Sequence, residues 1–277
     1  MATLVSFHAH PDDEAIATGG VMARAAEDGH RVVLVVATRG EQGEPVPGVL
    51  GPDEPLWTRR VEETQRSAGI LGAERVEFLG YVDSGMIGEP TNDDPSCFWQ
   101  ADVEDAAGRL AAILREVDAD VITIYDDHGG YGHPDHIQVH RVGLRAAELV
   151  GLAPERVFAS TMNRDVIERA RAEAPAMDGA GGGPGDMEEE DWDTSEFGSP
   201  EAEITHAVDV RAVLDRKRAA MEAHESQISP DSFFFAMPPE AFASLFGVEW
   251  YTWLGPRRVE GAPFLTDLLP SSEPGPT

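Results

Sequence analysis

The run RVVLVVAT at 31–38 constrains the fold more than any other stretch of the chain. It is a continuous apolar segment dominated by valine, with no polar residue on every second position. A strand of that kind is buried on both faces, which is the situation in a parallel sheet covered by helices on either side. The surrounding pattern agrees. TLVSF (3–7) precedes a helical stretch from about Asp13 to Asp28, closed by Gly29. A second helical stretch runs from Leu56 to Leu71, closed by Gly72, and leads into the strand RVEFLG (75–80). Glycine just past the last periodic residue is a common helix stop. Helix is then expected over 102–117, strand over DVITIY (120–125) and helix from Pro134 to Val150. Repeated strand–helix–strand units with short connections need right-handed crossovers. The expected fold is therefore α/β: a Rossmann-like, doubly wound, mostly parallel sheet with helices on both faces.

In such sheets ligands bind beyond the carboxyl ends of the strands. HAHPDDE (8–14), TRGEQGE (38–44) and YDDHGGYGHPDH (125–136) all fall on that rim. The organisation read along the chain is a catalytic core over 1–170 that carries a metal site. A flexible acidic, glycine-rich loop follows over 171–203, densest in APAMDGAGGGPGDMEEEDWDTSEFGSPEAE (174–203) and expected to lack core contacts. Residues 204–269 read as the C-terminal part of the same domain, with ITHAVDV as strand, RAVLDRKRAAMEAHESQ as a long helix and an aromatic-rich close contributing to the substrate pocket. The tail 270–277 is expected to be loose.

Net charge narrows the partners. At −30 the chain is the wrong sign for nucleic acid, whose phosphates need basic residues. No apolar run is long enough to span a membrane, and the N-terminus lacks the basic and apolar segments of a signal peptide. A single cysteine, Cys97, allows no internal disulfide and suits a reducing cytoplasm. The expected partner is a small molecule; the oligomeric state is left open, with a homo-oligomer allowed.

Chemistry concentrates in two motifs. In the first, His10 is followed by Pro11, Asp12, Asp13 and Glu14. Proline suits a first helical turn, and acids there complement the helix dipole. Helix capping alone explains the acids but not the histidine beside them. In the second, His133 and His136 are three apart around Pro134 and Asp135, so they lie on one side of a helix's first turn. Two His-Pro-Asp junctions on one rim point to a metal. Two histidines, one carboxylate and an open position make a catalytic zinc centre.

AHPDDE (9–14) together with GGYGHPDH (129–136) resembles the LmbE-like, or PIG-L, family of zinc-dependent N-deacetylases, which includes the mycothiol-pathway deacetylase and mycothiol S-conjugate amidase of actinobacteria. TRGEQGE, VDSGM and KRAAMEAHESQ extend the likeness. The resemblance implies that His10, Asp13 and His136 bind Zn2+, with other divalent metals open. It implies Asp12 as general base, and His133 as the group that stabilises charge or protonates the leaving amine, with Asp135 as its partner. Tyr131 would help bind the oxyanion. Arg60 and Asp83 match positions that bind sugar hydroxyls, against a surface salt bridge or a turn cap; Glu41 and Gln227 extend that argument. The implied activity is removal of an N-acyl group from a small polar, amino-sugar-containing substrate in mycothiol-type or natural-product metabolism.

Other assignments compete. A zinc hydratase of an unsaturated acid is the alternative on the same fold, and a catalytically silent binding protein is a third class, opposed by the complete motif set. His8 and His10 form a His-x-His pair like that of TIM-barrel amidohydrolases, but HPDH at a helix start does not suit that fold. His8 and His140 are expected to be structural or supporting. His128 replaces the asparagine usual in the family and is expected on a loop or at the substrate rim, with a second metal site as the alternative. His30, His206 and His224 default to structure. Acids after the first strand would repel a dinucleotide, so a Rossmann cofactor is rejected.

Overall fold

A computed structural model, which describes residues 1–173 and 197–269, turns the apolar runs into strands of one sheet. In chain order these elements are β1 (Thr3–His8), α1 (Asp13–Ala17), α2 (Gly19–Glu27), β2 (Arg31–Val36), α3 (Leu56–Leu71), β3 (Arg75–Phe78), α4 (Val103–Glu116) and β4 (Val121–Tyr125). They continue as α5 (Gly129–Gly132), α6 (Pro134–Val150), β5 (Val157–Thr161), α7 (Arg164–Glu173), β6 (His206–Asp209), α8 (Leu214–Glu222), α9 (Phe233–Ala236), α10 (Pro239–Phe246) and β7 (Val248–Trp253). The strand order is β3-β2-β1-β4-β5-β7-β6. Pairings among β1 to β5 are parallel, and β7 is antiparallel to both β5 and β6. The order reverses between β1 and β4, so the crevice beyond their carboxyl ends is the expected ligand position.

Alternation along the strands divides the core into two layers. Val5, Phe7, Val33 and Val35 pack with Leu110 and Leu114 of α4 and Val139 and Val142 of α6. Leu4, Val32, Leu34 and Val36 face the other way, onto Val21 and Met22 of α2, Leu71 of α3 and Ala220 and Met221 of α8. Both faces of β2 are thus covered, as its unbroken apolar run requires. α6 crosses the sheet at Gly143, where an added Cβ would overlap Ile124 Cγ2 and approach Phe7 Cδ1. Gly143→Ala should therefore destabilise the protein by about 1–3 kcal/mol through overpacking. A shift of the urea midpoint at unchanged slope would measure it; an unshifted midpoint would show that the helix moves away freely.

Several expectations need correction. The helix expected over 13–28 is two helices broken at Thr18, whose φ is −133°. The Thr18 hydroxyl leaves the helical pattern to hydrogen-bond Ser6 Oγ and His8 Nε2. The long helix expected from RAVLDRKRAAMEAHESQ is a short turn at Arg211–Val213 followed by α8, which ends before His224. Of the 171–203 loop, residues 174–196 lie outside the described residues, as does the 270–277 tail. Residues 197–199 differ from the expectation: all three are buried. The Gly198 N–H bonds Gly130 O at 2.9 Å and the Ser199 N–H bonds Met162 O at 2.9 Å. Among the described residues, no helix is long and apolar enough to cross a membrane.

Candidate metal centre and catalytic site

β1 ends at His8, and its ring is locked beneath the site. His8 Nδ1 is 2.7 Å from Tyr125 OH and Nε2 is 2.8 Å from Thr18 Oγ1. Burial lowers its pKa to about 4, so it stays neutral as a structural element. The chain then turns, carrying His10, Asp12 and Asp13 onto the rim beside β4. Across the crevice, His133 caps α6: its Nδ1 accepts the Asp135 N–H at 3.1 Å. One turn on, the His136 ring stacks on Tyr125, with centroids 4.5 Å apart and planes at 15°.

Asp13 Oδ2 lies 3.4 Å from His10 Nδ1 and 3.4 Å from His136 Nε2. Ligand nitrogens of His10, His133 and His136 all lie within 4.8 Å of one another. Among the described residues His136 Nε2, which is buried, finds no hydrogen-bond partner, an arrangement that costs about 1–3 kcal/mol unless something else binds it. A tetrahedral ion with ligands at about 2.0–2.1 Å has ligand–ligand edges of about 3.3–3.4 Å. The donor set therefore fits a divalent metal in spacing and in chemistry. The electrostatics agree. Against burial, Asp83, Asp13 and Asp135 lift the His10 pKa well above its ordinary value. The carboxylates around this ring call for positive charge at this point. Against the same burial, His136 and His10 hold Asp13 well below the carboxylate range.

Asp12 stands beside this cluster with φ at 93°, a conformation rare for a residue with a side chain. Burial raises its pKa to about 6, against the lowering effect of Arg60, so it is ionised at neutral pH. Arg60 is not a surface ion pair. It is 4% exposed, donates to Gly40 O at 2.9 Å and Pro11 O at 2.6 Å, and reaches Asp12 Oδ2 at 3.3 Å.

Asp135 differs most from expectation. Its carboxylate does not hold His133. It accepts from the Ser84 N–H at 2.9 Å and the Ser84 hydroxyl, and lies 3.2 Å from His10 Nε2. The reason is local: the backbone N–H of Asp135 already caps onto His133, which directs the side chain across the site. A carboxylate behind a candidate ligand histidine fixes the ring and its tautomer. His133 itself is pushed down to about 2 by burial, His10 and His136. It is a neutral imidazole whose Nδ1 accepts, which leaves the proton on Nε2.

The remaining predicted residues divide. Asp83 sits 3.4 Å from His10 Nε2 and accepts from the Gly85 and Gln42 N–H groups. Despite burial, His10 and the Gly85 N–H hold it well below the ordinary range. Glu41 accepts the Asp83 N–H at 3.1 Å and pairs with Arg39 at 2.9 Å, so it orders the loop that carries Asp83. Gln227 donates to Ser226 O at 2.9 Å; with Arg60 it closes over Gly43. Tyr131 lies edge-on to His136 at 5.0 Å and is stacked on Phe197 at 6.3 Å. Burial raises its pKa, so its hydroxyl remains a donor. His128 stays outside the cluster, paired with Asp127 at 3.0 Å and Asp126 at 3.5 Å. His140 bonds Tyr125 O at 2.8 Å behind the site. Sequence reasoning missed Ser84, Tyr125 and the pair Glu14–His224, bonded at 2.7 Å. Ser84 lies in VDSGM, where only the aspartate drew notice.

The 1D-myo-inositol 2-acetamido-2-deoxy-alpha-D-glucopyranoside deacetylase of Acidothermus cellulolyticus is 42% identical over 265 residues, covering 91% of this chain and 88% of that protein. Among solved structures, the N,N'-diacetylchitobiose deacetylase from Pyrococcus horikoshii aligns with a TM-score of 0.59 at 18% identity, covering 91% of this chain and 83% of that one. The 4-carboxy-2-hydroxymuconate hydratase from Pseudomonas putida KT2440 aligns with a TM-score of 0.56 at 20% identity, covering 95% and 100%. At such identities the two structures share the fold alone, and that fold carries both reaction classes. The model of the PIG-L family, GlcNAc-PI de-N-acetylase, matches residues 5–147, and the chain belongs to that family.

Proposed function

We propose that the chain is a cytoplasmic N-deacetylase that hydrolyses the acetamido group of a glucosaminyl-inositol, using one zinc ion held by His10 Nδ1, Asp13 Oδ2 and His136 Nε2. The observation that carries this is Asp13 Oδ2, equidistant at 3.4 Å from two buried ring nitrogens, with the ionised Asp12 as its chain neighbour. The activity and sugar class follow the family and the relative at 42% identity. A buried, free Cys97 accords with a reducing compartment.

Zinc bound there supplies Lewis acidity, polarising an amide carbonyl and lowering the pKa of water to about 7. The chain's own residues do the rest. Asp12 accepts a proton from the attacking water as its oxygen bonds to the acyl carbon. The carbonyl oxygen gains negative charge, which the Tyr131 hydroxyl and the His133 Nε2–H stabilise as donors. When the carbon–nitrogen bond breaks, Asp12 returns its proton to the nitrogen, and acetate and a free amine result. His133 acts in this scheme as a neutral donor rather than a proton source, because protonating Nδ1 would break its bond to the Asp135 N–H. Ser84 and Asp135 hold the His10 ring in place. Arg60, Asp83, Glu41 and Gln227 shape the loops around the sugar.

The test is to incubate the zinc-loaded protein with 1D-myo-inositol 2-acetamido-2-deoxy-α-D-glucopyranoside and assay primary amine. Enzyme-dependent amine, abolished by chelation and restored by zinc, is the expected result. Absence of amine from this and other N-acetylglucosaminides would contradict the reading.

A further inference from the structure

Glu14 is the one acid of the HPDDE motif that does not face the metal cluster. It is fully buried. Its Oε2 accepts the Asp12 N–H at 3.0 Å, and its Oε1 accepts from Ser67 Oγ and lies 2.7 Å from His224 Nε2. His224 is also fully buried, and its Nδ1 has no hydrogen-bond partner among the described residues. A buried polar pair of this sort is often no more stabilising than an apolar pair of the same volume. Its presence is better explained by what it holds than by stability.

What it holds is a strained residue. Asp12 sits at φ 93°, ψ −31°. Non-glycine residues in sparsely populated backbone regions cost about 1–3 kcal/mol and persist only where their surroundings impose the conformation. The backbone around Asp12 is fastened at three points. Its carbonyl accepts from the Ala15 and Ile16 N–H groups at 3.0 and 3.2 Å. The preceding Pro11 carbonyl accepts from Arg60 at 2.6 Å. Among the described residues, the Asp12 N–H is fixed by the Glu14 carboxylate. His224 in turn is anchored from α3, where the buried Glu63 accepts the Ser226 N–H at 2.9 Å and the Ser226 hydroxyl.

We infer that Glu14, backed by His224, is a positioning residue that holds Asp12 in the backbone conformation from which its carboxylate reaches the reacting water. The inference rests on the reading of Asp12 as the proton acceptor. It also gives the C-terminal part of the chain a role in catalysis, since His224, just beyond α8, carries the clamp to α1.

The test is a double-mutant cycle on zinc-loaded protein with the glucosaminyl-inositol substrate, measuring kcat, KM and bound zinc. Glu14→Ala should lower kcat about a hundredfold, the scale for a misplacement of roughly 1 Å, with KM and zinc content unchanged. Glu14→Gln keeps an oxygen that can accept the Asp12 N–H and should recover most of the rate. In an Asp12→Asn background, Glu14→Ala should add almost nothing, because both changes remove one function. If Glu14→Ala does not fold, His224→Phe keeps the ring volume and removes the donor; it should show a smaller loss of kcat that also vanishes in the Asp12→Asn background. A loss of equal size in both backgrounds, a wild-type kcat for Glu14→Ala, or loss of zinc in step with kcat overturns the inference alone. A wild-type rate for Asp12→Asn overturns the functional reading and this inference together.

Discussion

Asp12→Asn is expected to reduce kcat by about 10²- to 10⁴-fold, the usual worth of a positioned general base, while keeping its zinc. Asparagine preserves the volume and the contact with Arg60 Nη2, now 3.3 Å from Asp12 Oδ2, but cannot take up a proton. KM should change little, because the residue acts on the water rather than on the sugar. The substitution also removes negative charge from a site where Asp12 and Asp13 are neighbours that repel, so the fold should not suffer. Kinetics with zinc analysis on the same sample check this. A near wild-type kcat would take Asp12 out of the mechanism, and loss of metal would make it a ligand.

His136→Ala is expected to weaken zinc binding more than about 100-fold, since removing even an outer partner of a ligand typically costs 10–100-fold. Asp135→Asn supplies that comparison: its carboxylate touches His10 Nε2 at 3.2 Å, on the far side of the ring from Asp13. It should weaken zinc by about 10–100-fold and leave a loadable enzyme. His133→Ala should retain zinc, although His133 belongs to the same cluster of nitrogens. Competition with a chromophoric chelator separates the three. Comparable affinity for His136→Ala and wild type would refute the ligand assignment; loss of zinc from His133→Ala would move the ligand set to the three histidines.

The sheet was legible because its signals are local and redundant. RVVLVVAT cannot be amphipathic, and glycines at 29 and 72 stop helices where periodicity ends. ITHAVDV reads as a strand, but β7, inserted antiparallel between β5 and β6, was harder to place, since its pairing depends on tertiary contacts that leave no short-range pattern. The break at Thr18 arises from hydrogen bonds to Ser6 and His8, twelve and ten residues away, which no helical period reports. Within the site, His10, Asp12, Asp13, His133 and His136 stood out because two His-Pro-Asp junctions fall on one rim. The partners that orient them did not. Ser84 and Asp135 meet across 51 residues, and Glu14 and His224 across 210. The resemblance pairs Asp135 with His133; in the structure it is the Asp135 N–H that meets His133, while the carboxylate lies 3.2 Å from His10 Nε2, a contact no sequence pattern reports.

The central claim is hydrolysis of an amide, and it is tested most directly by running the reaction in ¹⁸O-labelled water and weighing both products. The account predicts that each turnover releases one free amine without label and one acetate carrying a single new ¹⁸O, because the water oxygen bonds to the acyl carbon. An unsaturated acid gaining ¹⁸O at carbon, with no acetate or amine released from any N-acetylglucosaminide, would contradict it and make the protein a hydratase on the same fold.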